Sequence, residues 1–71
     1  MSQVKITVDT DFLAEMTQIT SECASVGLEV IDMNQMGFIV GRIDEYKVGR
    51  LNQVPGVESI EILTESPVLE S

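Results

Sequence analysis

The chain has 71 residues, of which twelve are acidic, four are basic and none is histidine, so its formal net charge is -8. A chain this short builds one small core and buries about 60% of the surface that its unfolded form exposes. Its negative charge disfavours nucleic acid and anionic membranes as partners, because both carry phosphate charge. No apolar run approaches the roughly 20 residues of a membrane helix, and no apolar signal core follows Met1, so we expect a cytoplasmic protein.

The alternation of apolar and polar residues near the N-terminus predicts the first strand. Val4, Ile6 and Val8 have the spacing of side chains that face a core, while Lys5 and Thr7 point to the opposite side. The pattern is typical of a strand with one buried face.

A helix is expected to follow, because residues 9–11 supply side-chain oxygens at its start and Gly27 lies where a left-handed cap would end it. The same three residues lack the turn glycine of an EF-hand loop, so we expect them to cap the helix and not to bind calcium. The single cysteine, Cys23, falls on the apolar side of the helix and is predicted to be a buried, unreactive thiol. The other members of the apolar stripe are Phe12, Leu13, Met16, Ile19, Thr20 and Val26.

A second strand is predicted over residues 28–33, and residues 34–37 have the length and composition of a hairpin turn into a third strand, residues 38–43. In the third strand, Arg42 sets the parity because side chains alternate between the two faces. With Arg42 on the open face, Phe38 and Val40 share that face, where an antiparallel sheet normally carries polar groups.

A second helix is predicted after Asp44, which is placed to act as its N-cap. Its buried stripe is expected to consist of Val48, Leu51 and Val54, and a Pro-Gly turn at residues 55–56 separates it from a last strand at residues 57–62. Two glycines are expected to allow close packing of the backbone, namely Gly41 in the third strand and Gly49 in this helix.

The element order β-α-β-β-α-β predicts an α+β, ferredoxin-like domain with a four-stranded antiparallel sheet and two helices on one face. We expect residues 1–64 to form this single domain and residues 65–71 to form an extended C-terminal tail. The other sheet face is left open. Its predicted members are Lys5, Thr7, Ile31, Met33, Phe38, Val40, Arg42, Ser59 and Glu61.

Residue usage argues against catalysis and against metal binding. Without histidine and with one thiol, the chain offers almost no zinc ligands and no imidazole base for a nucleophile. The lysines that could form a Schiff base, Lys5 and Lys47, are predicted at exposed positions that would not lower their pKa. We therefore expect no enzyme activity, no catalytic residue, no metal and no cofactor.

The segment GFIVGRIDEYKVGRLNQVPGVESIEI, residues 37–62, resembles the propeptides of subtilisin-type serine proteases and their free-standing inhibitor relatives. The resemblance implies a protein-binding module that lays its open sheet face on the protease and inserts its C-terminal tail into the active-site cleft. The docking face would comprise Phe38 and Val40. The inserted segment would comprise Pro67, Val68, Leu69, Glu70 and Ser71.

Other interpretations stay open. The pattern is also similar to small free-standing proteins labelled ketohydroxyglutarate aldolase, but that chemistry needs a lysine poised in a pocket, which this chain does not offer, so we expect no aldolase activity. Regulatory domains of the amino-acid-binding ACT type share the predicted fold, although their ligand loop usually carries a glycine where this chain has residues 9–11. Finally, two copies could form a homodimer through the open faces or the outer strand edges.

Overall fold

The computed structural model describes residues 1–63. The strands are β1 (Ser2–Val8), β2 (Glu29–Asn34), β3 (Phe38–Ile43) and β4 (Val57–Ile62), and the helices are α1 (Met16–Val26) and α2 (Val48–Leu51). Short 3-10 helices, Thr10–Glu15 and Glu45–Lys47, lead into α1 and α2. No helix within the described residues is long and apolar enough to cross a membrane.

The four strands form one antiparallel sheet in the order β2-β3-β1-β4. Consecutive strands joined through a helix are separated by one intervening strand, so each helical connection crosses over a neighbour. This arrangement confirms the predicted ferredoxin-like α+β fold.

The core lies between one face of the sheet and the two helices. Val4 and Ile6 of β1 are completely buried, and the residues opposite them on β3 and β4 belong to the same core face. Each such aliphatic side chain contributes about 1.5–3 kcal/mol to folding when fully buried. The buried apolar residues are Val4, Ile6, Val8, Met16, Ile19, Cys23, Leu28, Ile39, Ile43, Leu51 and Val54.

The start and end of the first helix are fixed by local hydrogen bonds. Asp9 caps the segment, since its Oδ1 accepts a hydrogen bond from the Asp11 N–H at 2.9 Å. The first turns are 3-10 and not α-helical, so the α-helix begins only at Met16. Gly27 ends it at φ +127°, and the following N–H of Leu28 donates to the Cys23 carbonyl at 3.0 Å. The predicted glycine cap is confirmed.

The second helix is shorter than its apolar stripe. Leu51 and Val54 are buried, as predicted, but α2 ends at Leu51 and Val54 lies in the following turn. Asp44 occupies the N-cap position of the 3-10 segment, yet its side chain makes no capping hydrogen bond. Instead, its carbonyl accepts from the Lys47 N–H at 2.9 Å.

The two interior glycines differ in their surroundings. A Cβ on Gly41 would lie 2.5 Å from the Glu29 carbonyl oxygen and 2.9 Å from the Leu28 side chain, so the close packing predicted there is confirmed. A Cβ on Gly49 would meet nothing within 4 Å. The close packing predicted at Gly49 is therefore wrong, because this face of α2 is turned to open space.

Gly49→Ala should stabilise the domain, because alanine is favoured over glycine inside a helix by about 0.8–1 kcal/mol and the added methyl meets no atom. Gly41→Ala is the matched control and should destabilise by about 1–3 kcal/mol through overpacking against β2. The free energy of unfolding from urea titrations measures both changes. A loss of stability in Gly49→Ala would contradict the open surroundings of that position.

Candidate functional site

The open face of the sheet is the candidate functional site, since the helices cover the other face. Its centre is made by β1 and β3, whose register sets Lys5 opposite Val40 and Thr7 opposite Phe38. Directly opposed residues in an antiparallel pair share a face. Both candidate docking residues, Phe38 and Val40, thus lie side by side on the open face, where the parity of Arg42 predicted them.

The two apolar side chains at the centre are only half-buried. Lys5 Nζ lies 4.5 Å from the centroid of the Phe38 ring, which is a cation–π contact. At an exposed site such a contact is worth about 0.5–1 kcal/mol. Lys5 therefore covers part of the Phe38 ring and leaves Val40 beside it as open apolar surface.

Charges surround this centre on both sides. Toward β2, Arg42 Nε lies 3.6 Å from Glu29 Oε1, and the two side chains are 52% and 62% exposed. Such an exposed pair contributes roughly 0–1 kcal/mol. Toward β4, Glu61 stands opposite Lys5, and within residues 1–63 it makes no ion pair. The face thus consists of a small apolar centre, two cations with internal contacts, and carboxylates on the outer strands.

The outer strand β2 departs from the predicted parity. A register shift between Val30 and Asp32 places Asp32 opposite Val40 and Met33 opposite Ile39, a buried core residue. Met33 therefore belongs to the helix side of the sheet, and its assignment to the open face is wrong. The bulge adds one residue and reverses the alternation beyond it. Ile31 lies at the bulge and is 51% exposed.

The candidate tail residues are Pro67, Val68, Leu69, Glu70 and Ser71, and they lie outside the described residues. The same holds for Thr64 and for the boundary between domain and tail. Their role stays a prediction from the resemblance.

Both lysines differ from their prediction as exposed residues. Lys5 is half-buried beside Phe38, and Lys47 is half-buried with its stem next to Gly27, at the end of α1. The contact between Lys5 and Phe38 is the part of the site that the sequence did not predict. The contact follows from the register of β1 and β3. With Thr7 opposite Phe38, Lys5 lies diagonally across from the Phe38 ring.

Within residues 1–63 no group of three or more histidine, cysteine or acidic side chains could hold a metal ion. An open cleft of about 400 Å³ lies between the start of α1 and the β2–β3 turn. In the part of the chain that the structure describes, its lining contains no titratable side chain and consists of Leu13, Ala14, Met16, Thr17 and Gln35.

Cys23 is completely buried, and burial together with the nearby Glu22 carboxylate raises the pKa of its thiol to about 11. Because the thiolate is the reactive form, this environment makes Cys23 a poor nucleophile at neutral pH. The prediction of a buried, structural thiol agrees with this geometry.

Comparison of the chain with protein-family models, with curated proteins and with solved structures finds no match.

At pH 8, Cys23 in the folded protein should react with a thiol reagent at least about 50-fold more slowly than in guanidinium, because its raised pKa reduces the thiolate fraction.

The folded state favours the neutral thiol of Cys23, so this contribution to stability is present at neutral pH. It is lost as pH rises from about 9, the unperturbed value, through about 11. Urea titrations of wild type and Cys23→Ala across this range isolate the effect. If the free energies of unfolding of wild type and Cys23→Ala change in parallel with pH, the raised pKa of Cys23 is contradicted.

Proposed function

We propose that this chain is a non-enzymatic, cytoplasmic protein-binding domain that docks through its open sheet face and its C-terminal tail on a subtilisin-like serine protease. The observation that carries the proposal is the pair Phe38 and Val40, two half-buried apolar side chains at the centre of a sheet face that the helices leave uncovered. An apolar centre surrounded by polar residues is typical of a protein–protein contact surface.

The charges on the face support a protein partner. Lys5 and Arg42, the two cations here, already contact Phe38 and Glu29, whereas Glu61 makes no ion pair within the described residues. A partner that supplies basic groups at the rim would compensate these carboxylates and the net charge of -8. A phosphate-bearing partner would meet repulsion from the same charge.

The protease is proposed from the resemblance of residues 37–62 to propeptide-type inhibitors, and the tail would occupy the substrate cleft. The alternative is self-association through the same open face, which would bury Phe38 against a second copy. The two proposals differ in stoichiometry. A protease complex contains one domain per protease, and self-association yields homodimers without protease.

Phe38→Asp should weaken binding to a catalytically inactive subtilisin-type protease by at least about 30-fold, because it places a charge at the centre of the contact. Tyr46→Asp is the matched control, since Tyr46 is 91% exposed and lies in the 3-10 segment before α2. Calorimetry measures both affinities and circular dichroism checks the fold. Phe38→Thr, which keeps a good strand former, serves if the aspartate variant unfolds. Equal affinities for the Phe38 variants and wild type would remove the open face from the proposal.

Removal of residues 67–71 should abolish inhibition of an active subtilisin-type protease and leave the open-face contact, because only the tail would reach the cleft. Inhibition assays and binding assays on the same truncated chain separate the two effects. A control with Val68 and Leu69 replaced by serine keeps the length and tests the apolar contribution of the tail. A truncated chain that inhibits as well as the full chain would overturn the role of the tail.

A further inference from the structure

Within residues 1–63 no strand pairs with the outer edge of β4. The register pairs Glu61 with Lys5 and Ser59 with Thr7, and the Leu63 N–H donates to the Gln3 carbonyl at 2.8 Å. Since hydrogen-bonded and non-hydrogen-bonded pairs alternate in an antiparallel ladder, residues 59, 61 and 63 direct their N–H and C=O groups toward β1. The backbone groups of Ile60 and Ile62 therefore point away from the sheet.

The two edges of the sheet differ in how well they are protected against pairing. The edge strand β2 carries a bulge between Val30 and Asp32, in the middle of its length, which interrupts a regular row of donors and acceptors. In β4 the register shift lies at the beginning, opposite Thr7 and Val8, and residues 59–62 are regular. Ile62, on the helix side of β4, is 53% exposed and would be covered by pairing at this edge.

We propose that a second copy of this chain pairs with the β4 edge, so that two β4 strands lie antiparallel about a two-fold axis at Ile60. Because of the two-fold axis, both copies contribute the same residues to the contact. The outward N–H and C=O groups of Ile60 in one copy hydrogen-bond to those of Ile60 in the other. The same register brings Ser59 opposite Glu61 of the second copy, and Ile62 then lies near the bulge at Glu58 of the second copy. A continuous eight-stranded sheet results.

The carboxylates of β4 disfavour two other registers. A two-fold axis at Glu58 or at Glu61 would place two like charges directly opposite each other, which is destabilising. The axis at Ile60 avoids both and brings a Ser59 hydroxyl within reach of a carboxylate that makes no ion pair within residues 1–63.

The expected association is weak and increases with salt. A contact of one short strand from each copy is smaller than a standard protein interface, so we expect a dissociation constant between about 10 µM and 1 mM. Each copy carries a net charge of -8, and added salt screens the repulsion between them. The contact is made by the backbone edge of β4 and does not involve Phe38 or Val40, so this proposal does not depend on the proposed function.

Sedimentation equilibrium of the full chain tests the dimer from about 10 µM to about 1 mM at low and at high salt. We expect a reversible monomer–dimer equilibrium that Ile62→Glu weakens at least tenfold, because the change adds a carboxylate near Glu58 of the second copy. Met36→Glu is the matched control, because it replaces another exposed apolar residue, 78% exposed in the β2–β3 turn, and changes the net charge equally. A monomer at every concentration and salt, or equal dimerisation of the two variants, would overturn the proposal. So would loss of the dimer in Phe38→Asp alone, which would assign the contact to the open face.

Disulfide trapping tests the register. Ser59→Cys and Glu61→Cys, each combined with Cys23→Ala, should form a disulfide-linked heterodimer when mixed and oxidised, because the two positions oppose each other in a non-hydrogen-bonded pair with close Cβ atoms. Each variant alone should crosslink several-fold more slowly. A Ser59→Cys homodimer as the main product would overturn the axis at Ile60. Crosslinking of both variants no faster than an exposed control, Met36→Cys, would overturn edge pairing itself.

Discussion

The burial of β1 in the middle of the sheet is the constraint on which the rest of the structure depends. β1 hydrogen-bonds to β3 on one side and to β4 on the other, and its residues Val4 and Ile6 are completely inaccessible. Because a strand alternates, the burial of these residues forces Lys5 and Thr7 to the opposite face. The core thus determines which residues the domain can offer on its open face, and a shift of one residue in β1 would exchange the two sets.

The open face leaves apolar surface in water at the expense of stability. Phe38 and Val40 remain partly in water, which forgoes part of the roughly 1.5–3 kcal/mol that a fully buried side chain of this size contributes. The Lys5 contact with the Phe38 ring compensates only a fraction of that amount. Because a lysine side chain has several low-energy rotamers, a partner could displace it and bury the ring in its place.

Most of the fold could be predicted from the sequence because its strands alternate strictly where one face is buried, and Gly27 and Asp9 mark the limits of the first helix. Two errors have specific causes. The bulge in β2 reversed the parity of Met33, although uninterrupted alternation from Val30 would have put the Asp32 carboxylate on the core face, which was a signal of the break. The packing expected at Gly49 failed because composition does not tell which side of a four-residue helix faces solvent. The candidate face followed from the parity of Arg42, whereas the tail rests on resemblance alone.

Pairing of two copies through β4 would place their two open faces on one continuous sheet. From one Phe38 to the other the sheet would cross five strand spacings, or roughly 24 Å. Adjacent strands are rotated by about 20–25°, so five steps accumulate a rotation of more than about 100°. The two apolar centres would then face in different directions. A single partner molecule could not cover both, and a dimer would act as a carrier of two independent binding faces, with one partner for each copy.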